Sequence, residues 1–248
     1  MKLLVGTLID GRCSGIDSYL LDVLAVARRQ SVHLDFLTNE IDPELQDRLD
    51  KLGSVLYQTP SLKNPPAQYR AIRRLIEQGN YDAAYFNVSE PLNCVGALAA
   101  HKCGLPVIVH SHGSASVGGS AAVRAFRGFI SCCCRPVLNA CADTKLACSR
   151  GAARYLYGRR AGEATVVYNP VDADRFAFDP ALRRQVREEL GLHDEIVLGH
   201  VGGFRYPKNQ GFLLELAARL TADGHPVTLL FAGSGPDEPA LKERARAL

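Results

Sequence analysis

Short apolar runs alternate with amphipathic stretches along most of the chain, and this alternation predicts its secondary structure. Apolar runs of about four to eight residues between turn residues are typical of buried strands. They fall at residues 2–9, 33–38, 55–58, 83–88, 107–110, 145–148, 165–168, 196–198 and 227–231. Apolar positions at helical spacing predict helices at residues 16–29, 43–52, 67–78, 91–103, 121–141, 150–156, 180–190, 211–220 and 239–248. Strands that alternate with helices indicate an α/β fold, a doubly wound parallel sheet covered on both faces.

Two prolines modify the predicted helices. Pro91 is expected in the first turn of its helix, where the missing N–H leaves no intrahelical hydrogen bond unmade. Pro136 lies inside the predicted helix 121–141 and is expected to kink or split it.

The elements divide into a large first domain, residues 1–191 with a connector at its end, and a short second part, residues 192–248. The second part has only two predicted strands and two predicted helices, too few to bury a core of their own. It therefore either docks onto the first domain or is the incomplete start of a larger domain. The last helix ends in RARAL without a glycine cap, as a fragment would.

Composition narrows the class of protein. A hydrophobic content of 47% fits a folded core, and a formal net charge of +3 is too small to indicate nucleic acid as a partner. No apolar run is long enough to span a membrane, and the first run is too short for a signal peptide. We therefore expect a cytoplasmic protein.

The cysteines and histidines give little support for a metal-binding site. None of the eight cysteines forms a C-x-x-C pair, so they are interpreted as free thiols. His110 and His112 share a strand face, so a metal pair is conceivable, but no third ligand is evident nearby. We therefore predict no metal.

The strongest candidate for chemistry is the stretch 196–209, IVLGHVGGFRYPKN, which leads into an amphipathic helix. A glycine turn lets backbone N–H groups approach a ligand, and the start of the next helix favours an anion. Arg205 and Lys208 add positive charge beside it. The pattern predicts a diphosphate site; the alternative is an ordinary strand-to-helix connection with two solvated cations. The loop 10–15 is a second glycine turn after a strand, although it lacks the dinucleotide fingerprint.

The chain resembles a known enzyme family in several motifs that occur in the expected order. They are SGIDSYLLDVL, VIVHSHGS, LACSRGAARYLYG, VVYNPVDADRFAF, LGHVGGFRYPKNQGFLLELAARL and AGSGPDEPALKERA. Together they resemble the retaining GT-B glycosyltransferases of family 4, in particular those of capsule and exopolysaccharide biosynthesis. The resemblance implies two Rossmann-like domains, with the acceptor bound mainly by the first and a nucleotide-sugar donor by the second.

The resemblance also implies roles for particular residues. His112 matches the family histidine near the reacting sugar, with Gly113 expected to allow close approach of a ligand. Lys208 matches the lysine that neutralises the leaving diphosphate, and Gly203 stands where the family usually has arginine. The implied donor-binding set is Gly15, Gly202, Gly203, Arg205, Lys208, Gly233 and Gly235.

The function implied is transfer of a sugar, with retention and without a metal or other cofactor, from a nucleotide-sugar such as a UDP-sugar. The acceptor would be a saccharide or a lipid-linked molecule, and the latter would bring the protein to the periphery of the inner membrane. The family's E-x7-E segment, which binds the donor, does not occur in this chain. The fragment itself is therefore expected to be inactive. The alternatives are a non-catalytic acceptor-binding half that needs a partner chain, and a sugar-nucleotide epimerase of the same fold.

Overall fold

The computed structural model of the protein describes residues 1–6, 15–115 and 120–248. These residues form two compact units, Met1–Val171 and Asp172–Leu248. Residues 172–191, which the sequence analysis placed with the first domain, cluster with the second unit. Their helix is tied to the strand that follows, because the Arg187 guanidinium donates hydrogen bonds to the carbonyl oxygens of His193 and Glu195, at 3.0 Å and 2.9 Å.

The first unit is built on a parallel sheet of seven strands within the described residues. The strands are β1 (Lys2–Gly6), β2 (His33–Thr38), β3 (Leu56–Gln58), β4 (Ala83–Val88), β5 (Val107–Ser111), β6 (Thr144–Ala147) and β7 (Thr165–Val166). Their order is β3-β2-β1-β4-β5-β6-β7, with every neighbouring pair parallel. The direction of winding reverses between β1 and β4, as in a doubly wound fold. The predicted fold class is confirmed.

Six α-helices connect these strands in the parts of the first unit that the structure describes. They are α1 (Gly15–Arg29), α2 (Pro43–Lys51), α3 (Pro65–Gly79), α4 (Val95–Lys102), α5 (Ala121–Cys141) and α6 (Arg150–Tyr157). Side chains that accept hydrogen bonds from free backbone N–H groups fix several of their starts. Asp42 accepts from Leu45 at 2.9 Å, and Ser149 accepts from Ala152 at 3.1 Å.

The core lies in two layers, one on each face of the sheet. Alternate residues of a strand point to opposite faces. Leu4 and Phe86 accordingly belong to one buried cluster, and Val5 and Tyr85 belong to the other. Tyr157 closes the first cluster, where its hydroxyl donates to the carbonyl oxygens of Val109 and Leu146.

Two details of the helices differ from the prediction. α4 begins at Val95 and not at Pro91, because the N–H of Asn93 bonds the carbonyl oxygen of Glu90 at 3.0 Å in a turn that precedes the helix. α5 runs unbroken past Pro136 and is not split there. The guanidinium of Arg135, the residue before Pro136, donates hydrogen bonds to the carbonyl oxygens of Tyr155 and Leu156. These bonds hold this part of α5 against α6.

The second unit contains a two-stranded parallel sheet of β8 (Ile196–Val201) and β9 (Val227–Ala232), with helices α7 (Pro180–Glu189), α8 (Gln210–Ala222) and α9 (Glu238–Ala247). Only Phe204, Gln210 and Leu214 are buried among its residues, all of which the structure describes. Large apolar side chains such as Val201 are largely exposed. The second unit therefore has a very small core. Within the described parts of the chain, no helix is both long and apolar enough to cross a membrane.

Candidate active site

Polar side chains gather at the carboxyl ends of β4 and β5, beside the start of α1. Ligands of doubly wound sheets bind at this edge, near the point where the strand order reverses. His112 follows β5 directly, and its backbone N–H donates to the carbonyl oxygen of Val88 on β4 at 2.9 Å. The predicted position of His112, at the end of a parallel strand, is thus confirmed.

The ring of His112 is held by a neighbour on β4. Its Nε2 lies 2.9 Å from Oδ1 of Asn87, whose side chain is fully buried. Burial lowers the pKa of His112 to about 4. The imidazole is therefore neutral near pH 7, and it can bind a ligand through hydrogen bonds but not as a cation.

Gly113, the residue after His112, must be glycine for the backbone to pack at this point. A Cβ at Gly113 would overlap the carbonyl oxygen of Ser89 and lie 2.9 Å from its carbonyl carbon. The chain can pass Ser89 only where it carries no side chain. Gly113, which was predicted to make room for a ligand, therefore has a packing role among the described residues.

His110 lies on the same face of the sheet as His112, but its side chain is fully buried. Its Nδ1 is 2.7 Å from the hydroxyl of Tyr85, which is 2.9 Å from the hydroxyl of Tyr19 on α1. The rings of His110 and His112 are 4.2 Å apart. Burial and the neighbouring His112 together lower the pKa of His110 to about 3. A smaller interaction with the Val167 backbone acts in the opposite direction and raises this pKa.

The two histidines do not assemble a metal site in the part of the chain that the structure describes, because no third ligand joins them there. The Nδ1 of His110 is already engaged by Tyr85. The conceivable His-x-His metal pair thus gains no support from this geometry.

The start of α1 reaches the same cluster. The Tyr19 ring lies 5.3 Å from the rings of both His110 and His112. Gly15 is the exposed first residue of α1, and a Cβ there would meet no atom of the described residues within 4 Å. None of the described residues therefore blocks the predicted contact of Gly15 with the donor. The preceding loop, residues 10–14, and the end of the predicted first strand, residues 7–9, lie outside the described residues.

Sequence reasoning missed three members of this cluster, Tyr19, Tyr85 and Asn87. The available signal was YFNV in β4, where an asparagine and a tyrosine interrupt an apolar strand. A further contact beyond β4 is the ion pair between the nearly buried Glu90 and Arg127 of α5, at 2.5 Å. It fastens α5 beside the site.

The second unit brings its predicted glycines together in two loops, one after β8 and one after β9. A Cβ at Gly233 would overlap the carbonyl oxygen of Gly202, and one at Gly235 would overlap the backbone of Phe204. The Phe204 N–H donates to the carbonyl oxygen of Ser234 at 2.9 Å. The two glycine loops thus pack backbone against backbone, which fixes their shape.

Arg205 and Lys208 lie exposed on the first of these loops, and neither makes a side-chain hydrogen bond or ion pair with another described residue. The Lys208 stem comes back over the turn, with Cδ and Cε 3.7 Å and 3.8 Å from a Cβ built on Gly202. At Gly203 such a Cβ would meet, among the described residues, only the Ser234 carbonyl oxygen, at 3.7 Å. The backbone here therefore leaves room for the first side-chain carbon of another residue.

The helix that follows starts beside these cations. α8 starts at Gln210, and Asn209 before it makes no side-chain capping hydrogen bond. Gln210 is buried and donates from Nε2 to the carbonyl oxygen of Gly203 at 2.9 Å, so it anchors the loop to the helix. A glycine turn, an uncapped helix start and two unpaired cations together form a suitable site for an anion.

Comparison with known proteins finds relatives across most of the chain. It is 30% identical over 241 residues to "Putative glycosyltransferase EpsF" of Bacillus subtilis (strain 168), covering 94% of this chain and 62% of that protein. It is 26% identical over 196 residues to a GDP-mannose-dependent alpha-(1-6)-phosphatidylinositol monomannoside mannosyltransferase of Mycolicibacterium smegmatis, covering 78% of this chain and 50% of that protein. The chain thus spans less than two thirds of either relative.

Solved structures show the same fold. The crystal structure of Anabaena Alr3699/HepE in complex with UDP and glucose superposes with a TM-score of 0.74 at 21% identity, over 99% of this chain and 65% of that one. The family described as "Glycosyl transferase 4-like domain" matches residues 14–171, which is more than half of the chain and includes the whole His112 cluster. The chain therefore belongs to the glycosyl transferase 4-like family of GT-B proteins.

Proposed function

We propose that the protein is a glycosyltransferase that moves a sugar from a nucleotide-sugar, of the UDP type, to a saccharide or lipid-linked acceptor. Retention of configuration and a place in the assembly of cell-surface polysaccharide are parts of the same proposal. It is supported by membership of the family, by the likeness to EpsF, and by a similar fold in HepE, which was crystallised with UDP and glucose.

One observation carries the proposal: two unpaired cations, Arg205 and Lys208, lie on a glycine turn at the start of α8. Transfer of a sugar breaks its bond to a nucleoside diphosphate, so negative charge develops on the leaving phosphate. Cations and backbone N–H groups at this position would stabilise that charge. In the proposed reaction they take the role that a metal ion has in other enzymes.

His112 is proposed to contact the transferred sugar or the acceptor. Its pKa of about 4 makes it neutral at physiological pH, so it would act by hydrogen bonding and not as a positive charge. Its place at a strand end, held by Asn87, fits a group that orients a substrate.

The proposal is tested by sugar transfer from labelled UDP- and GDP-sugars to lipid-linked and saccharide acceptors. The full product of the gene should transfer label, and residues 1–248 tested alone should transfer little. Binding of no nucleotide-sugar by the full product would overturn the proposal. So would conversion of the donor to an epimer without transfer. Transfer that requires a second protein to bind the donor would support a non-catalytic acceptor-binding half instead.

A further inference from the structure

Asn87 is a fully buried polar residue of the first unit. It lies on β4, one position before the end of the strand, and its side chain reaches the ring of His112. We propose that Asn87 is a positioning residue that holds His112 in the neutral tautomer protonated at Nε2, with Nδ1 as the free hydrogen-bond acceptor. Its importance for turnover rests on the proposed function, but the tautomer itself does not.

The first step of the argument is the direction of the hydrogen bond. The distance between His112 Nε2 and Asn87 Oδ1 is 2.9 Å, and an amide oxygen can only accept. The ring nitrogen must then donate. A neutral imidazole carries one N–H, so the other nitrogen, Nδ1, keeps its lone pair.

The second step is what surrounds the remaining polar atoms. Nδ1 of His112 and Nδ2 of Asn87 are both buried and have no hydrogen-bond partner among the described residues. Buried polar groups are nearly always paired, so an unpaired atom on each of these two side chains indicates a place for a ligand group. The ring acceptor suits a ligand group that donates a hydrogen bond, and the amide N–H suits one that accepts.

The third step is why an amide and not a carboxylate occupies this position. Among the described residues, the rings packed against His112 are those of His110 and Tyr19, with Tyr85 behind His110. None of these three side chains carries a carboxylate. A carboxylate at residue 87 would stabilise the imidazolium and raise the pKa of His112 by about one to three pH units. Asparagine supplies the same oxygen acceptor without that charge and so keeps the ring neutral.

The test reads the tautomer directly in the 248-residue chain. With 15N-labelled histidine, the protonated and unprotonated ring nitrogens give separate NMR signals, and a His112→Gln variant identifies those of His112. The proposal expects Nε2 protonated and Nδ1 unprotonated at pH 7.5. A ring protonated at Nδ1 would mean that the Asn87 amide is turned the other way, and would overturn the proposal.

Two variants and a control extend the test. Asn87→Asp should keep the Nε2–H tautomer but raise the pH at which His112 titrates, whereas Asn87→Leu should leave a mixture of tautomers. The control, Asn139→Asp, alters another buried asparagine, whose Nδ2 donates to the Tyr157 carbonyl oxygen, and should leave the His112 signals unchanged. If neither Asn87 variant changes the His112 signals, the proposal is wrong.

The catalytic consequence is measured separately. In the full gene product, Asn87→Leu should lower kcat by about tenfold or more with a smaller change in KM, because the ring is no longer held in one orientation. Asn87→Asp should retain activity at high pH and lose it where His112 becomes protonated. A protein that shows the expected tautomer but transfers no sugar would refute the proposed function and leave the role of Asn87 intact.

Discussion

Replacing Gly113 with alanine puts a methyl group where the backbone of Ser89 already lies. The new Cβ would be 2.9 Å from the Ser89 carbonyl carbon and would overlap the oxygen, whereas ordinary contact begins at 3.4 Å. The carbon contact alone requires the two segments to move apart by about 0.5 Å, and the overlap with the oxygen requires a larger movement. Overpacking of this kind costs about 1–3 kcal/mol.

The same movement strains the neighbouring hydrogen bond from the His112 N–H to the Val88 carbonyl oxygen. Its loss would add about 0.5–1.5 kcal/mol. We therefore expect Gly113→Ala to lower the free energy of unfolding by about 2–4 kcal/mol. The matched control is Gly128→Ala in the middle of α5, where a Cβ meets no atom of the described residues within 4 Å. It should stabilise the protein by about 0.5–1 kcal/mol through helix propensity.

Urea unfolding followed by tyrosine fluorescence measures both variants. The protein has no tryptophan, and eight of its nine tyrosines lie in Met1–Val171, so the signal reports the first unit. The reasoning would be refuted if Gly113→Ala proved as stable as Gly128→Ala. The loop after β5 would then not lie against Ser89, and His112 would not occupy its position beside the end of β4.

Three further predictions concern the two sites. Lys208→Ala should weaken UDP binding in calorimetry by about 1.5–3 kcal/mol and more than Arg205→Ala does, whereas the reverse ranking would place the diphosphate contact on Arg205. The pKa values of His110 and His112 are about 3 and about 4 in the folded protein, below the ordinary 6.5. At pH values between about 4 and 6.5 the unfolded chain therefore binds more protons than the folded protein does. Stability should therefore fall as pH drops from about 6.5 towards 4, and urea midpoints that stay level between pH 7 and 5 would contradict the burial of these rings. His112→Ala should slow turnover of the full gene product by about 10²-fold or more while its melting temperature stays near that of the unchanged protein. An unfolded variant would indicate a structural histidine, and full turnover would remove His112 from the site.

The fold was predictable because it depends on local patterns. Each strand of the first unit appears in the sequence as a short apolar run between turn residues, and alternation with helices implies parallel pairing. The errors arose where a local rule was overridden. Pro91 satisfies the rule for a helix start, but the turn between Glu90 and Asn93 delays α4 to Val95.

The candidate site was predictable only in part, for a different reason. His112 and Lys208 were found through motifs, which are contiguous in sequence. Asn87 and Tyr19 reach His112 from 25 and 93 residues away, and nothing in the periodicity of β4 or α1 indicates that their side chains meet. The role of Gly113 depends on a similar distant contact, with Ser89. Such contacts depend on the register of β4 against β5, which the apolar pattern leaves undetermined.

The most direct test of the central claim is hydrogen exchange of the full gene product with and without UDP, compared with uridine. If the glycine loops hold a nucleoside diphosphate, UDP should slow amide exchange at residues 202–211 and 233–238, and uridine, which lacks the phosphates, should not. Lys208→Ala should reduce this protection. Equal protection by UDP and uridine, or protection confined to other parts of the chain, would contradict the diphosphate site and with it the proposed glycosyltransferase.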